Sequence, residues 1–167
     1  MDFEISHSLP ATVTEVATAL LDRRFQESLA NVSSALKARE ILSQEQHTDG
    51  KVARSVRSVL AVDLGPARPF IGDGEPAWVE AALWDPDEMT WTWEVHPEVG
   101  AQLLSASGSI TLTDDAGGTE RTVRGDVRVR VPVYGGRVEA LIVEHLERAY
   151  EEEARLLHDW LAPAPKT

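Results

Sequence analysis

The sequence predicts an α+β domain in which an antiparallel sheet of about seven strands is covered on one face by a long C-terminal helix. Two patterns carry this expectation. Several segments alternate apolar and polar residues with period two. The clearest is the run in which Val123, Val127, Val129 and Val131 interleave with Thr122, Arg124, Asp126, Arg128 and Arg130. Strands with one apolar and one charged face belong to an antiparallel sheet covered on a single side. Residues 137–161 supply the cover. With Val138 at zero and about 100° per residue, Ile142, Ala149, Leu156 and Trp160 fall on one stripe, while Glu144, Glu147, Glu151, Arg155 and His158 fall opposite.

Taken in order, residues 2–8 read as a half-buried strand with Phe3, Ile5 and His7 on one face, ended by Pro10. Thr12 and Glu15 form a capping box for a helix carrying Val13, Val16, Ala17, Leu20 and Leu21, and a second short helix covers residues 25–32. Residues 34–45 are compatible with strand or helix and are read as strand. The Thr48-Asp49-Gly50 turn leads into a strand over 52–64, where Val52, Val56, Leu60 and Val62 share one parity. Residues 65–76, rich in Gly and Pro, read as an irregular loop. Strands follow over 77–84 and 89–96, separated by Asp85-Pro86-Asp87-Glu88, then over 102–113 with Leu104, Ala106, Gly108, Ile110 and Leu112 on one side. Gly135-Gly136 reads as a sharp turn into the last helix, with an anion site at the helix start as the alternative. Residues 1–162 form one domain, and 163–167 read as a frayed tail.

Composition excludes several classes of function. With 167 residues the chain is long enough for one core, and its net charge of -12 runs against phosphate binding, so neither a nucleic-acid partner nor an anionic membrane surface is expected. The absence of cysteine removes disulfides, thiolate metal sites and thiol nucleophiles. No apolar stretch approaches the length of a membrane span, and the first residues lack the pattern of a signal peptide, so a cytoplasmic protein is expected. There is no histidine pair at metal-ligand spacing, no Gly-x-Ser-x-Gly elbow, no P-loop and no dinucleotide fingerprint. No cofactor, metal or catalytic residue is therefore expected. The acidic loop at 85–88 reads as a solvated turn, because it lacks the spacing of a calcium loop.

The order of strand, two short helices, about six strands and one long helix resembles the START-like, or SRPBCC, superfamily with its helix-grip fold. Three segments resemble an actinobacterial branch of that superfamily known as a domain of unknown function. They are MDFEISHSLPATVTEVATALLD, ASGSITL and VRVRVPVYGGRVEALIVEHL. The resemblance implies that the sheet is curved and that a cavity between it and the long helix holds a lipid-like or polyketide-like molecule. It does not imply catalysis, because fold does not fix function.

On this reading Trp91, Trp93, Val127 and Val129 contribute the sheet wall of a site for a small hydrophobic ligand, and residues 65–76 are the candidate gate. Ile142, His145, Ala149, Glu152 and Leu156 contribute the helix wall. His145 lies about 20° from Val138, Glu152 falls on nearly the same line two turns on, and Glu153 borders the stripe on its other side. Two roles compete for His145: a polar group in the cavity, or a core histidine bonded to a backbone carbonyl. His7 reads as a strand-end residue at the rim, with a cavity position as the alternative. The tryptophans suit either a pocket lining or plain core packing. A non-enzymatic carrier or sensor is the leading expectation. The alternatives are a cyclase or dehydratase using His145 and Glu152 as acid and base, and a protein-interaction domain whose interior is filled.

Overall fold

The structure is a computed structural model that describes residues 1–61, 65 and 68–163. Strand β1 (Asp2–Leu9) is followed by helices α1 (Val13–Leu21) and α2 (Arg23–Val32). Strands β2 (Leu36–Gln46) and β3 (Val52–Leu60), a four-residue helix α3 (Arg68–Ile71) and strand β4 (Ala77–Asp85) come next. Strands β5 (Thr90–Pro97), β6 (Leu104–Asp115) and β7 (Gly118–Val129) lead into helix α4 (Gly135–Leu161). The seven strands form one sheet in the order β1-β7-β6-β5-β4-β3-β2, every neighbour antiparallel. This is the expected α+β helix-grip architecture.

The helix boundaries follow from local chemistry. Thr12 Oγ1 accepts from the Glu15 amide at 3.3 Å while Glu15 Oε2 accepts from the Thr12 amide at 2.8 Å, completing the capping box. Asp22 closes α1 and caps α2, its carboxylate accepting from the Arg24 amide at 2.9 Å. The segment read as strand over 34–45 forms β2 from Leu36 to Gln46, after a turn at residues 34 and 35. Strand β3 ends at Leu60, earlier than expected, with 62–64 outside the described residues. The 65–76 loop contains α3, and two of its positions, 66 and 67, lie outside the described residues, as does the tail from 164.

The two glycines before the long helix have a different use from the turn or anion site expected. They form the first turn of α4, and a Cβ on Gly135 would stand 2.5 Å from the Val129 carbonyl oxygen. Gly135 therefore lets the helix start pack directly on the end of β7. A tie from Glu139, whose carboxylate accepts from the Val129 amide at 2.9 Å, fixes the same junction.

The inner face of the sheet is built in cross-strand rows. One runs Arg54, Ala82, Trp93, Gly108, Gly125 and Phe3 from β3 to β1. The two glycines make room for the large rings beside them: a Cβ on Gly108 would sit 2.5 Å from Trp93 Cζ2, and one on Gly125 would sit 2.6 Å from Phe3. Helix α4 lies over β7 and β1 and reaches α1 and α2. Phe25, Val16, Val123, Val127 and Leu157 are shielded completely in the resulting core. Burial of each contributes about 1.5–3 kcal/mol relative to exposure.

Candidate functional site

Because α4 sits over the β7–β1 side, the space between it and strands β2 to β6 is left partly unfilled. A cavity of about 190 Å³ occupies it. Trp91, Trp93 and Ile110 line its sheet side, and Ile142, Leu146 and Ala149 line its helix side. Val99, Gly100 and Leu103 border it near the β5–β6 connection.

Of the residues expected at such a site, Trp91, Trp93, Val129, Ile142, His145 and Ala149 border this cavity, and three do not. Val127 lies in the part of the sheet that α4 covers and is fully buried in the core. Leu156 packs against the main core cluster. Glu152 turns away to the α2–β2 connection, where its carboxylate accepts from the Ser34 amide at 2.9 Å and from Ser34 Oγ at 2.6 Å. The acid–base pairing of His145 with Glu152 is thereby corrected. His145 reaches the cavity wall, and its Nδ1 lies 2.7 Å from the Leu141 carbonyl oxygen. A carbonyl only accepts, so Nδ1 carries the proton. His145 thus borders the cavity while bonded to a backbone carbonyl of its own helix.

The cavity also has a polar inner end. Arg54 stands on the inner face of β3, donating through Nη1 to the Leu20 carbonyl at 2.7 Å, with its guanidinium 4.4 Å above the Trp91 ring. Burial lowers its pKa to about 10, partly offset by Glu80, so it stays charged at neutral pH. Arg39 on β2 donates to Gln26 Oε1 at 2.9 Å and to Ser58 Oγ at 3.3 Å, and Gln26 Nε2 donates in turn to the Leu20 carbonyl at 2.9 Å. Glu80, Tyr150 and Glu153 also border the cavity. Burial, then the carboxylates of Glu80 and Glu153, push the Tyr150 phenol well above its ordinary range, so it remains a neutral hydroxyl.

Behind this end lies a fully buried cation. Arg121 on β7 donates to Glu153 Oε1 at 2.6 Å, to the Tyr150 carbonyl at 3.0 Å, and through Nη2 approaches His7 Nδ1 at 3.3 Å. His7 is therefore half-buried against Arg121. Its Nε2 lies 3.2 Å from Glu151 without hydrogen-bond alignment. Burial, then the Arg121 charge, holds the His7 pKa below its ordinary value. Among the described residues no group of three or more His, Asp or Glu side chains is arranged to hold a metal ion.

A family described as a protein of unknown function, DUF2505, matches residues 4–161, nearly the whole chain. The chain belongs to the DUF2505 family. Comparison with curated proteins finds no match. Among solved structures, this DUF2505 chain is similar to the protein TTHA0849 from Thermus thermophilus, at 16% identity and a TM-score of 0.69, covering 95% of each chain. It is similar to the ZhuI aromatase/cyclase from Streptomyces sp. R1128 at 14% identity and a TM-score of 0.68, covering 96% of this chain and 92% of that one. A START superfamily protein from Mycobacterium smegmatis matches at 18% identity and a TM-score of 0.61, covering 96% of both. These likenesses establish a START-like fold for the DUF2505 chain, and no helix among its described residues is long and apolar enough to cross a membrane.

Proposed function

We propose that this protein holds a small apolar molecule in the cavity between the sheet and α4. The observation that carries the reading is the cavity itself, about 190 Å³ bordered by Trp91, Trp93, Ile142 and Ala149. Native interiors close such spaces unless something is gained by keeping them. Burying roughly 200 Å² of apolar ligand surface contributes up to about 5 kcal/mol before the cost of association. Two of the similar structures are named an aromatase/cyclase and a START superfamily protein, which agrees with a ligand-holding interior. An interaction domain with a filled interior fits less well, because the interior is not filled. The cyclase alternative loses its base, because Glu152 is engaged by Ser34.

Mass spectrometry of freshly purified protein, native and then denatured, tests this together with tryptophan emission during titration with 2-methylnaphthalene. The expected result is a stoichiometric mass increment lost on unfolding, or saturable quenching, and neither in Ala149→Phe, whose ring fills the cavity. A wild-type protein with no increment and no quenching overturns the reading.

A further inference from the structure

The unmet hydrogen bonds of the cavity wall have a consistent sign. Four buried nitrogens on wall residues find no acceptor in the protein: Arg39 Nε, Arg54 Nε, Trp91 Nε1 and Trp93 Nε1. All four are N–H donors. Buried donors are costly to leave unpaired, and such groups in a native interior call for an explanation. They also belong together. Arg54 lies over the Trp91 ring and is separated from Trp93 in the cross-strand row by Ala82 alone, while Arg39 faces Ser58 on the next strand.

Charge points the same way. Glu153 borders the cavity but is paired with the fully buried Arg121, so its charge is largely matched there and acts on Arg54 only as a minor contribution after Glu80. Glu80 then stands as a single carboxylate beside two arginines. Most of the rest of the wall is apolar, with Gln26, Ser33, His145 and Tyr150 as its other polar residues, and its size suits a body of one or two rings, since engineered cavities of about 150 Å³ take up benzene.

We infer that the ligand of this cavity is a small aromatic or similarly flat apolar molecule bearing an anionic oxygen group, a carboxylate or phenolate, that accepts from Arg39 and Arg54 at the inner end. This rests on the reading that the cavity takes an apolar molecule, and adds the chemistry of its head. Trp91 and Trp93 hold the body, and their indole N–H groups serve further oxygens on it. Arg54 is fixed through Leu20 and Arg39 through Gln26 and Ser58, so both guanidiniums are positioned before the ligand enters.

Calorimetric titration of the full chain with three probes of one shape provides the test: 2-naphthoate, 2-methylnaphthalene and 2-naphthylmethylammonium. Naphthoate should bind at least about tenfold tighter than methylnaphthalene, with the ammonium weakest. Arg39→Gln and Arg54→Met should each remove that advantage, weakening naphthoate by at least about tenfold more than methylnaphthalene. Glu80→Gln should tighten naphthoate. Circular dichroism checks folding, and if Arg54→Met does not fold, Arg39→Gln decides alone. Equal affinity for naphthoate and methylnaphthalene, or equal weakening of both by the arginine variants, overturns the inference but leaves the apolar cavity standing. If none of the three binds, the inference fails, and the cavity reading fails with it where no ligand co-purifies.

Discussion

Arg121→Met probes the buried charge behind the cavity. The side chain of Arg121 is 0% exposed and that of Glu153 14% exposed, and the two meet at 2.6 Å. Methionine keeps much of the length and apolar bulk, but leaves the Glu153 carboxylate without a cation and the Tyr150 carbonyl without its side-chain donor. Breaking a buried pair by removing one partner costs about 3–5 kcal/mol, because the remaining charge is stranded. For a domain of this size each kcal/mol moves Tm by roughly 2–4 °C, so a fall of roughly 6–20 °C is expected. Glu153→Leu alone strands the arginine and should cost a similar amount. The double variant strands neither, and replacing a whole buried pair by apolar groups is often close to neutral. It should therefore be more stable than either single variant, a coupling of at least about 2 kcal/mol. Urea unfolding followed by tryptophan emission, with an unchanged m-value, measures all three. A cost below about 1 kcal/mol for Arg121→Met, or simple addition of the two single effects, would refute the argument.

Gly108→Ala should destabilise by about 3 kcal/mol or more, because its methyl would fall 2.1 Å from the Arg124 carbonyl oxygen and 2.5 Å from Trp93. A near-UV dichroism signal unchanged from wild type would show that neither strand nor ring has to move. His7 binds its proton less readily folded than unfolded, so the unfolded chain takes up the proton first. Stability should fall as pH drops from about 6.5 toward the lower folded-state value and change no further from this source below it. His7→Gln should flatten that portion of the urea midpoint against pH, and an unaltered profile would reassign it. Glu152→Ala should speed hydrogen exchange at the Ser34 amide and cost about 1 kcal/mol, yet leave naphthoate affinity unchanged. A loss of affinity would return Glu152 to the cavity wall.

The architecture was legible because period two and period 3.6 are properties of the chain itself. The capping box at Thr12 and Glu15, the alternation of β7 and the amphipathic last helix each needed only local sequence. The polar inner end was partly legible too. Arg54 shares parity with Val52 and Val56, Glu80 with Trp78 and Ala82, and Arg121 with Val123, so each charge lay on an apolar face for parity to reveal. Arg39 was hidden, because β2 shifts register twice, between Leu36 and Ala38 and between Ile41 and Ser43, and each shift reverses the alternation.

The helix wall turned on the choice of origin. Val138 looks like the centre of an apolar stripe, but it is one edge, forming a small separate cluster with Leu60, Val129 and Ile142. Measured from it at about 100° per residue, Val143, Leu146, Tyr150, Glu153 and Leu157 spread around roughly 100°, far from the stripe first drawn. The face packed into the core is thus turned by roughly 80°, nearly one residue's step, from the stripe of Ile142, His145 and Ala149 that borders the cavity. That turn exchanges neighbours: Glu152 leaves the interior for Ser34, and Glu153 enters to meet Arg121. An amphipathic pattern fixes that a helix has an inward face. Which glutamate lies on it depends on where the sheet places the opposing arginine, and no single segment of the chain carries that information.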